Sequence, residues 1–134
     1  MRKPKLYLAG PLFSEAERKF NHELKIVLSV YFDVYLSQED DGLMVEMVQK
    51  GMSEKNASKK VFEMDVEAMK KCDVFLAILD GRTMDEGTVF EHGYVYSIGK
   101  VCVGLKTDPR QLGSLGKKFY NFLNLCQFLQ CEVF

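Results

Sequence analysis

A short stretch in the middle of the chain carries four carboxylates at a point where a strand is followed by a helix. The stretch runs from residue 80 to 94, comes directly after an apolar run and leads into a segment whose apolar residues have helical spacing. Side chains in such a turn lie at the sheet edge where ligands bind, so these acids can serve as nucleophiles or general acids and bases, or can simply cap the helix. The four are Asp80, Asp85, Glu86 and Glu91.

Glu91 is the candidate nucleophile of this stretch. It falls one turn into a helix predicted from about Thr88 and shares an apolar stripe with Tyr94 and Val95, so its side chain is expected to point inward. The positive end of the helix dipole would favour the ionised form that a nucleophile needs. The alternative role is a glutamate that only complements the dipole, and for Asp85 the alternative is a helix cap.

Asp65 and Tyr7 are further candidates for acid–base chemistry. Asp65 lies on the apolar side of a helix predicted over 53–71, where a carboxylate must be paired or used, and a structural cap is the competing role. Tyr7 stands near the end of the first predicted strand, so its hydroxyl could reach a carboxylate at the same edge, although packing is the commoner role. Beside it, Gly10 offers a backbone surface that a planar ring can approach, and Phe13 offers a stacking face.

The elements that hold these residues alternate between strand and helix. Strands are predicted over 5–9, 33–36, 73–79 and 101–105, and helices from Ser14, over 53–71, over 88–98 and in the tail over 113–134. A polar loop is predicted over 37–42, and 43–51 has no firm assignment. The alternation predicts a single α/β domain over 1–134, doubly wound in the flavodoxin or Rossmann manner, with a mainly parallel sheet flanked by helices.

Three predicted loops follow strands and should therefore converge at the carboxyl edge of this sheet. They are 10–13, 37–42 and 80–88. The strand over 73–79 is almost continuously apolar, as expected for a central strand with helices on both faces. Ser14 and Glu17 have the spacing of a capping box, so a helix that packs on the sheet should begin there.

Composition limits the classes of partner. With 134 residues, 47% of them hydrophobic, and a net charge of −1, the chain can bury a core but lacks the basic face that nucleic acids or anionic membranes require. A small molecule is the expected partner. No apolar run approaches the ~20 residues of a membrane span and no signal-like stretch precedes the first strand, so a cytoplasmic protein is expected.

The cysteines and histidines do not indicate a metal site. No CxxC pair occurs and no histidine stands at ligand spacing, so buried thiols are predicted, with no zinc, disulfide framework or cofactor. His22 is expected on a solvated helix face, and His92 projects about 100° away from Glu91. A second apolar stripe suggests core or a subunit interface. The cysteines are Cys72, Cys102, Cys126 and Cys131, and the stripe consists of Phe62, Val66 and Met69.

The motifs in combination resemble the nucleoside 2-deoxyribosyltransferase family. The resemblance spans residues 5 to about 105 and rests on the segments 7–13, 14–18 and 85–93 together with Asp65. The spacing of four acids also matches acidic positions of that family. These acids are Asp65, Asp73, Asp85 and Glu91.

The resemblance implies cleavage of the N-glycosidic bond of a 2′-deoxynucleoside and transfer of the deoxyribosyl group to another nucleobase. Glu91 matches the family nucleophile, which would form a covalent deoxyribosyl-enzyme and give retention through two displacements. Tyr7 matches the residue that positions the nucleophile, and Asp65 matches the acid that exchanges a proton with the nucleobase.

Substrate contacts are implied in the same way. Asp85 matches a residue that holds the sugar hydroxyls, and Gln38 matches a base contact, although Ser37 stands where the family usually has Pro. Asn121, or Asn124 in another alignment, matches an Asn that reaches the sugar from a neighbouring subunit. A homo-oligomer, dimer or hexamer, with shared active sites is therefore expected.

Two other functions stay open at this point. Related 2′-deoxynucleoside 5′-monophosphate N-glycosidases pass the sugar to water and tend to have Ser where this chain has Asp85, whose charge would repel a phosphate unless Arg82 offsets it. A nucleoside-binding domain without turnover is the third possibility, and the joint presence of Glu91, Tyr7 and Asp65 argues against it. The preference for purine or pyrimidine bases is left open.

Overall fold

A five-stranded, entirely parallel sheet forms the centre of the molecule in the computed structural model, which describes residues 2–107 and 132–133. The strand order is β2-β1-β3-β4-β5, as in flavodoxin-like folds, and it confirms the predicted doubly wound α/β class. The strands are β1 Lys5–Ala9, β2 Asp33–Leu36, β3 Val74–Ile78, β4 Val101–Leu105 and β5 Glu132–Val133. The helices are α1 Glu15–Leu28, α2 Asp40–Gln49, α3 Glu54–Lys71 and α4 Glu86–Ser97.

The sheet is covered on both faces, which explains why its inner strands read as continuous apolar runs. Successive residues of a strand point to opposite faces, so Leu6 and Leu8 of β1 enter one core while Tyr7 enters the other. The first core packs beneath α1, and the second packs beneath α3 and α4. The predicted central position of β3 is confirmed.

Three helices begin at the polar caps that the sequence supplies. Ser14 and Glu17 form the predicted capping box of α1, and Ser53 accepts a hydrogen bond from the amide of Asn56 at the start of α3. Asp85 caps α4, which begins at Glu86, two residues before the predicted start. These caps satisfy amides that have no partner within the helix.

The sequence has apolar residues at helical intervals from Ala16 to Tyr31, which predicts a stripe packed on the sheet, but this stripe is only partly buried. Leu24 and Leu28 pack against the sheet as expected, whereas Val27 and Tyr31 are exposed by 63% and 69%. The helix ends at Leu28, so Tyr31 no longer follows its periodicity. In α3, Val66 and Met69 pack into the core, while Phe62 of the same predicted stripe is exposed.

Two assignments made from the sequence are wrong. The segment predicted as a polar loop forms a 3-10 turn, Ser37–Glu39, and the first turn of α2, which also takes up most of the unassigned 43–51. A run of acidic and polar residues is typical of a loop, but acidic residues are also favoured in the first turn of a helix, which is the structure found here. The tail helix predicted to residue 134 cannot include Glu132–Val133, because these residues extend the sheet beside Val103 and Gly104. The rest of that prediction lies outside the described residues.

The cysteines that can be described are buried. Cys72 and Cys102 are free thiols in the core beneath α3 and α4, as predicted, and Cys126 and Cys131 lie outside the described residues. In residues 2–107 and 132–133, no helix has the length and apolar character needed to cross a membrane.

Candidate active site

Two acids and two tyrosines meet between the sheet and the pair of helices α3 and α4. The hydroxyl of Tyr7 donates to Oε1 of Glu91 at 2.9 Å and lies 3.4 Å from Oδ1 of Asp65. The hydroxyl of Tyr35 donates to the same Oδ1 at 2.9 Å. The structure thus brings together Glu91, Asp65 and Tyr7, which the sequence had indicated as separate candidates, and adds Tyr35.

Stacking between aromatic rings holds these two hydroxyls in place. Tyr7 stacks on Tyr35 with ring centroids 5.2 Å apart, and on Phe75 at 5.4 Å. Phe75 in turn stacks on His92 of α4 at 5.8 Å. The stack runs across β2, β1 and β3, and its buried rings have little rotamer freedom. His92 is thus buried and packs against the aromatic core.

The environment of Glu91 favours its neutral form. Burial raises the pKa of its carboxyl to about 7, the hydrogen bond from Tyr7 opposes that rise, and the charges of Asp65 and Asp85 add to it. The expectation that the helix dipole favours the ionised form is thus overridden by burial and neighbouring anions. Near neutral pH the carboxyl exists in both forms, and protonation can be coupled to ligand binding.

Tyr7 is a hydrogen-bond donor and not a base. Burial, followed by the charge of Glu91 and then that of Asp65, raises the pKa of its phenol far above the ordinary value of 10.0. The hydroxyl therefore keeps its proton throughout the pH range in which proteins work. A neutral donor fixed between two carboxylates can orient them without neutralising either.

Asp85 is the N-cap of α4, which is the alternative role that the sequence left open for it. Its Oδ2 accepts from the amide of Thr88 at 2.7 Å and from the hydroxyl of Thr88 at 2.8 Å. Its charge nevertheless contributes to the raised pKa of Glu91, so it lies near the site. Asp80, by contrast, accepts from the amide and hydroxyl of Thr107 and joins the ends of β3 and β4.

A buried asparagine that the sequence analysis did not single out connects two of the converging loops. The amide nitrogen of Asn21 donates to the carbonyl of Pro11 and to Oε1 of Gln38, both at 2.9 Å. The amide nitrogen of Gln38 donates to the carbonyl of Arg18 at 3.0 Å. Gln38 thus uses both polar atoms of its amide within the protein, and its predicted contact with a base stays a prediction.

The loop after β1 is shaped by close packing. A Cβ placed on Gly10 would come within 2.9 Å of the Ile78 side chain, so the glycine lets this loop pass directly over β3. Arg18 donates to the carbonyls of Leu12 and Phe13 at 3.0 and 3.2 Å and holds the loop to α1. Phe13 is 76% exposed, so its ring is free of core packing.

Some residues that the sequence indicated lie elsewhere. Asp73 immediately precedes β3 at the amino edge of the sheet, opposite to the carboxyl edge, and accepts from the amide of Lys5 at 2.7 Å. His22 is exposed on α1. Asn121 and Asn124 lie outside the described residues.

Both missed residues had a signal that can be read only once the strand pairing or the buried face of the helix is known. Tyr35 pairs with Tyr7 in the parallel register of β1 and β2, so the two rings share one face of the sheet. Asn21 falls on the stripe of α1 that carries Leu24 and Leu28, where a polar side chain needs a partner.

A separate cavity of about 580 Å³ lies between α3 and the strands β1 and β2. Its lining includes Tyr35 but neither Asp65 nor Glu91. Glu67 and Lys71, two of its charged groups, pair with each other at 2.9 Å. The cavity therefore lies beside the acid–tyrosine cluster and does not contain it.

Comparisons with known proteins agree on one family. The sequence model for nucleoside 2-deoxyribosyltransferase matches residues 6–126. A conserved protein from Enterococcus faecalis V583 is 33% identical with a TM-score of 0.64, over 91% of this chain and 75% of that one. A 2-deoxyribosyltransferase from the psychrotolerant bacterium Bacillus psychrosaccharolyticus is 28% identical with a TM-score of 0.65, over 76% of this chain and 72% of that one.

A third solved structure shares the fold at lower identity. It is the CMP N-glycosidase of Clostridium botulinum, 21% identical with a TM-score of 0.58, over 97% of this chain and 86% of that one. No match was found among curated proteins.

Proposed function

The chain belongs to the nucleoside 2-deoxyribosyltransferase family, and from that premise we propose that it transfers the 2-deoxyribosyl group of a 2′-deoxynucleoside to another nucleobase. Membership makes it an enzyme that acts on the N-glycosidic bond of nucleosides. The observation that carries the finer proposal is the Tyr7 hydroxyl, which donates to Glu91 at 2.9 Å and lies 3.4 Å from Asp65.

In the first displacement Glu91 attacks C1′ of the sugar. A bond forms between its Oε and C1′, and the bond from C1′ to the ring nitrogen breaks with its electron pair leaving on the base. Asp65 supplies the proton that the departing base takes up. Tyr7 keeps the attacking carboxylate in place, since its hydroxyl remains a donor throughout.

In the second displacement a nitrogen of the incoming base attacks C1′ from the face that the first base left. Glu91 leaves as a carboxylate, and Asp65 takes the proton from the incoming base. Two inversions at C1′ give net retention, as in retaining glycosidases. The protein is thereby returned to its starting protonation state without a cofactor.

The raised pKa of Glu91 fits its proposed role as the nucleophile. A pKa raised to about 7 by burial leaves a large ionised fraction at neutral pH, while the carboxylate that forms is a stronger nucleophile than one at its ordinary pKa. The same burial excludes water, which competes with the incoming base for the deoxyribosyl-enzyme.

Free nucleosides are the proposed substrates, in preference to 5′-monophosphates. The charge of Asp85 reaches Glu91 strongly enough to raise its pKa, so a phosphate at this end of α4 would meet two carboxylates. Asp85→Ser keeps a side-chain oxygen to cap α4 but removes that charge. We expect the ratio of kcat/KM for the 5′-monophosphate to that for the nucleoside to rise about tenfold or more in this variant. An unchanged ratio would assign Asp85 to the cap alone.

A homo-oligomer with shared active sites is part of the proposal. Asn121, in a segment outside the described residues, would contact the sugar from a neighbouring copy. Glu91→Ala and Asn121→Ala proteins should then each be impaired, and a mixture that exchanges subunits should regain activity, because one site in each mixed pair has both residues intact. Failure of the mixture to regain activity would place Asn121 outside the shared site.

The central experiment is base exchange. The protein is mixed with a 2′-deoxynucleoside and a free base of another type, and both bases and both nucleosides are followed chromatographically. Appearance of the second nucleoside supports transfer, whereas release of free sugar with no second nucleoside would indicate a hydrolase. Binding without either product would indicate a nucleoside-binding domain, and a panel of purines and pyrimidines would show the base preference.

A further inference from the structure

We infer that Tyr35 is a positioning residue that holds Asp65 in place as the acid of the reaction. The inference rests on the proposed function and assigns a role to a tyrosine that neither the family match nor the sequence motifs single out. It begins from the way in which two carboxylates share the protons of two tyrosine hydroxyls.

The distances show how the two hydroxyls are divided. Tyr7 has one proton to donate, and its oxygen is 2.9 Å from Glu91 but 3.4 Å from Asp65. The shorter contact is a normal hydrogen bond, and the longer one is at the limit. Tyr35 donates to Oδ1 of Asp65 at 2.9 Å, so each carboxylate has its own tyrosine.

The strand register places the two tyrosine hydroxyls side by side. Tyr7 and Tyr35 are register partners in the parallel strands β1 and β2, and their rings are 5.2 Å apart at an interplanar angle of 25°. Asp65 comes from α3, so the Tyr35 hydrogen bond also ties that helix to the edge strand of the sheet.

Loss of the Tyr35 hydroxyl would remove a hydrogen bond that orients Asp65. Asp65 would then be less well aimed at the ring nitrogen, and a misplacement of about 1 Å is enough to cost a large factor in rate. The step affected first is protonation of the departing base.

The test compares two substrates that differ in their need for that proton. A natural deoxynucleoside releases a base that must be protonated, whereas 4-nitrophenyl 2-deoxyriboside releases a phenolate that leaves without help. For Tyr35→Phe we expect kcat/KM to fall about tenfold with the nucleoside and less than about twofold with the nitrophenyl substrate. Tyr31→Phe, which removes the hydroxyl of an exposed tyrosine, is the matched control and should change neither value.

The ratio of the two rate constants makes the result independent of folding. Any loss of folded protein lowers both values equally and cancels from the ratio. An equal fall with both substrates, or no fall with either, would overturn the role of Tyr35 as a residue acting through Asp65.

Failure of the proposed function would look different. In that case the wild-type protein would turn over neither substrate, or Glu91→Ala would retain activity on both. Wild-type activity on both substrates that Glu91→Ala abolishes, together with an unchanged ratio for Tyr35→Phe, would leave the proposed function standing and reject the inference.

Discussion

Carboxylates at the two ends of the same central sheet have different surroundings. At the amino edge, Asp73 is half-exposed, accepts a backbone amide at 2.7 Å and faces the guanidinium of Arg2 at 3.6 Å. Behind the carboxyl edge, Glu91 is largely buried, and its donor is the neutral hydroxyl of Tyr7. One acid is solvated and paired with a cation, and the other is held by a phenol beside further acids.

The difference shows what a carboxylate needs in order to be structural or reactive. Asp73 accepts from the backbone amide of Lys5 and lies beside the guanidinium of Arg2, so its role is to tie β1 to the start of β3. Burial and the neighbouring acids destabilise the charge of Glu91. A bond to a reacting carbon removes that charge and with it the unfavourable electrostatic energy. Sequence spacing alone did not separate the two, since the resemblance matched both residues to acidic positions.

The largest effect should come from removing the reactive carboxylate. Glu91→Ala leaves no oxygen to attack C1′, and we expect base exchange to fall by on the order of 10³-fold or more. The measurement is single-turnover formation of the second nucleoside. Mass spectrometry of wild-type protein mixed with nucleoside alone should detect a deoxyribosyl adduct that the variant lacks.

The comparison would break if Glu91→Ala kept substantial activity. A water molecule or Asp65 would then have to act directly on the sugar. Glu91 would no longer be a reactive carboxylate in contrast to Asp73. The contrast would also fail if Asp73→Asn lost as much activity as Glu91→Ala.

The second effect concerns stability and its dependence on pH. The pKa of Glu91 is raised from 4.5 to about 7 in the folded protein, so between these values the folded state binds a proton that the unfolded chain releases. The free energy of unfolding should therefore fall as the pH rises through this window, by on the order of 3 kcal/mol in total. Glu91→Gln lacks the titrating group, so this part of the pH dependence should disappear.

Denaturant unfolding at several pH values provides the measurement. Glu91→Gln should be more stable than wild type above pH 7 and should lose this advantage below pH 4.5, where Glu91 is protonated in both folded and unfolded wild-type chains. Parallel curves for the two proteins would show that Glu91 keeps its ordinary pKa in the fold, and the contrast with the amino edge would then be one of position only.

A third prediction tests the hydrogen bond from Tyr7 to Glu91 separately from the carboxyl group itself. Tyr7→Phe keeps the ring stack and removes the hydroxyl that donates to Glu91. We expect kcat to fall by on the order of 100-fold, by comparison with the loss of a single preorganised donor in other active sites. Because that hydrogen bond lowers the pKa of Glu91, the acid limb of the pH–rate profile should move to higher pH. A fall in kcat with no movement of the limb would mean that Tyr7 acts only through packing.

The fold was predictable because its signals are local. Apolar runs bounded by Gly, Pro and Asp gave β1 to β4 within a residue or two, and the capping box at Ser14 gave the start of α1. The errors occurred where one residue type serves two structures. The acidic residues before α2 are typical of a loop as well as of a first helical turn, and the pairing of Glu132–Val133 depends on a partner strand about 30 residues away.

The site was predictable only in part, for a different reason. Sequence spacing placed Glu91, Asp65 and Tyr7 on the elements that converge, but a hydroxyl shared between two acids is a matter of tenths of an ångström across three elements. Tyr35 and Asn21 were missed because each resembles an ordinary core residue until its partner is known. The pKa of Glu91 follows from burial, which overrides the helix dipole that the sequence suggested.

The smallest expected effect is the sharpest check on the comparison. Asp73→Asn keeps an oxygen that can accept from the amide of Lys5 and removes only the attraction to Arg2, whose side chain is 73% exposed. Exposed ion pairs contribute about 0–1 kcal/mol, so thermal stability should change little and base exchange should stay within about twofold of wild type. If activity fell tenfold or more while stability held, the amino edge would have a functional role that its solvated, cation-paired geometry does not explain. Burial would then no longer be the property that distinguishes the reactive carboxylates of this protein from the structural ones.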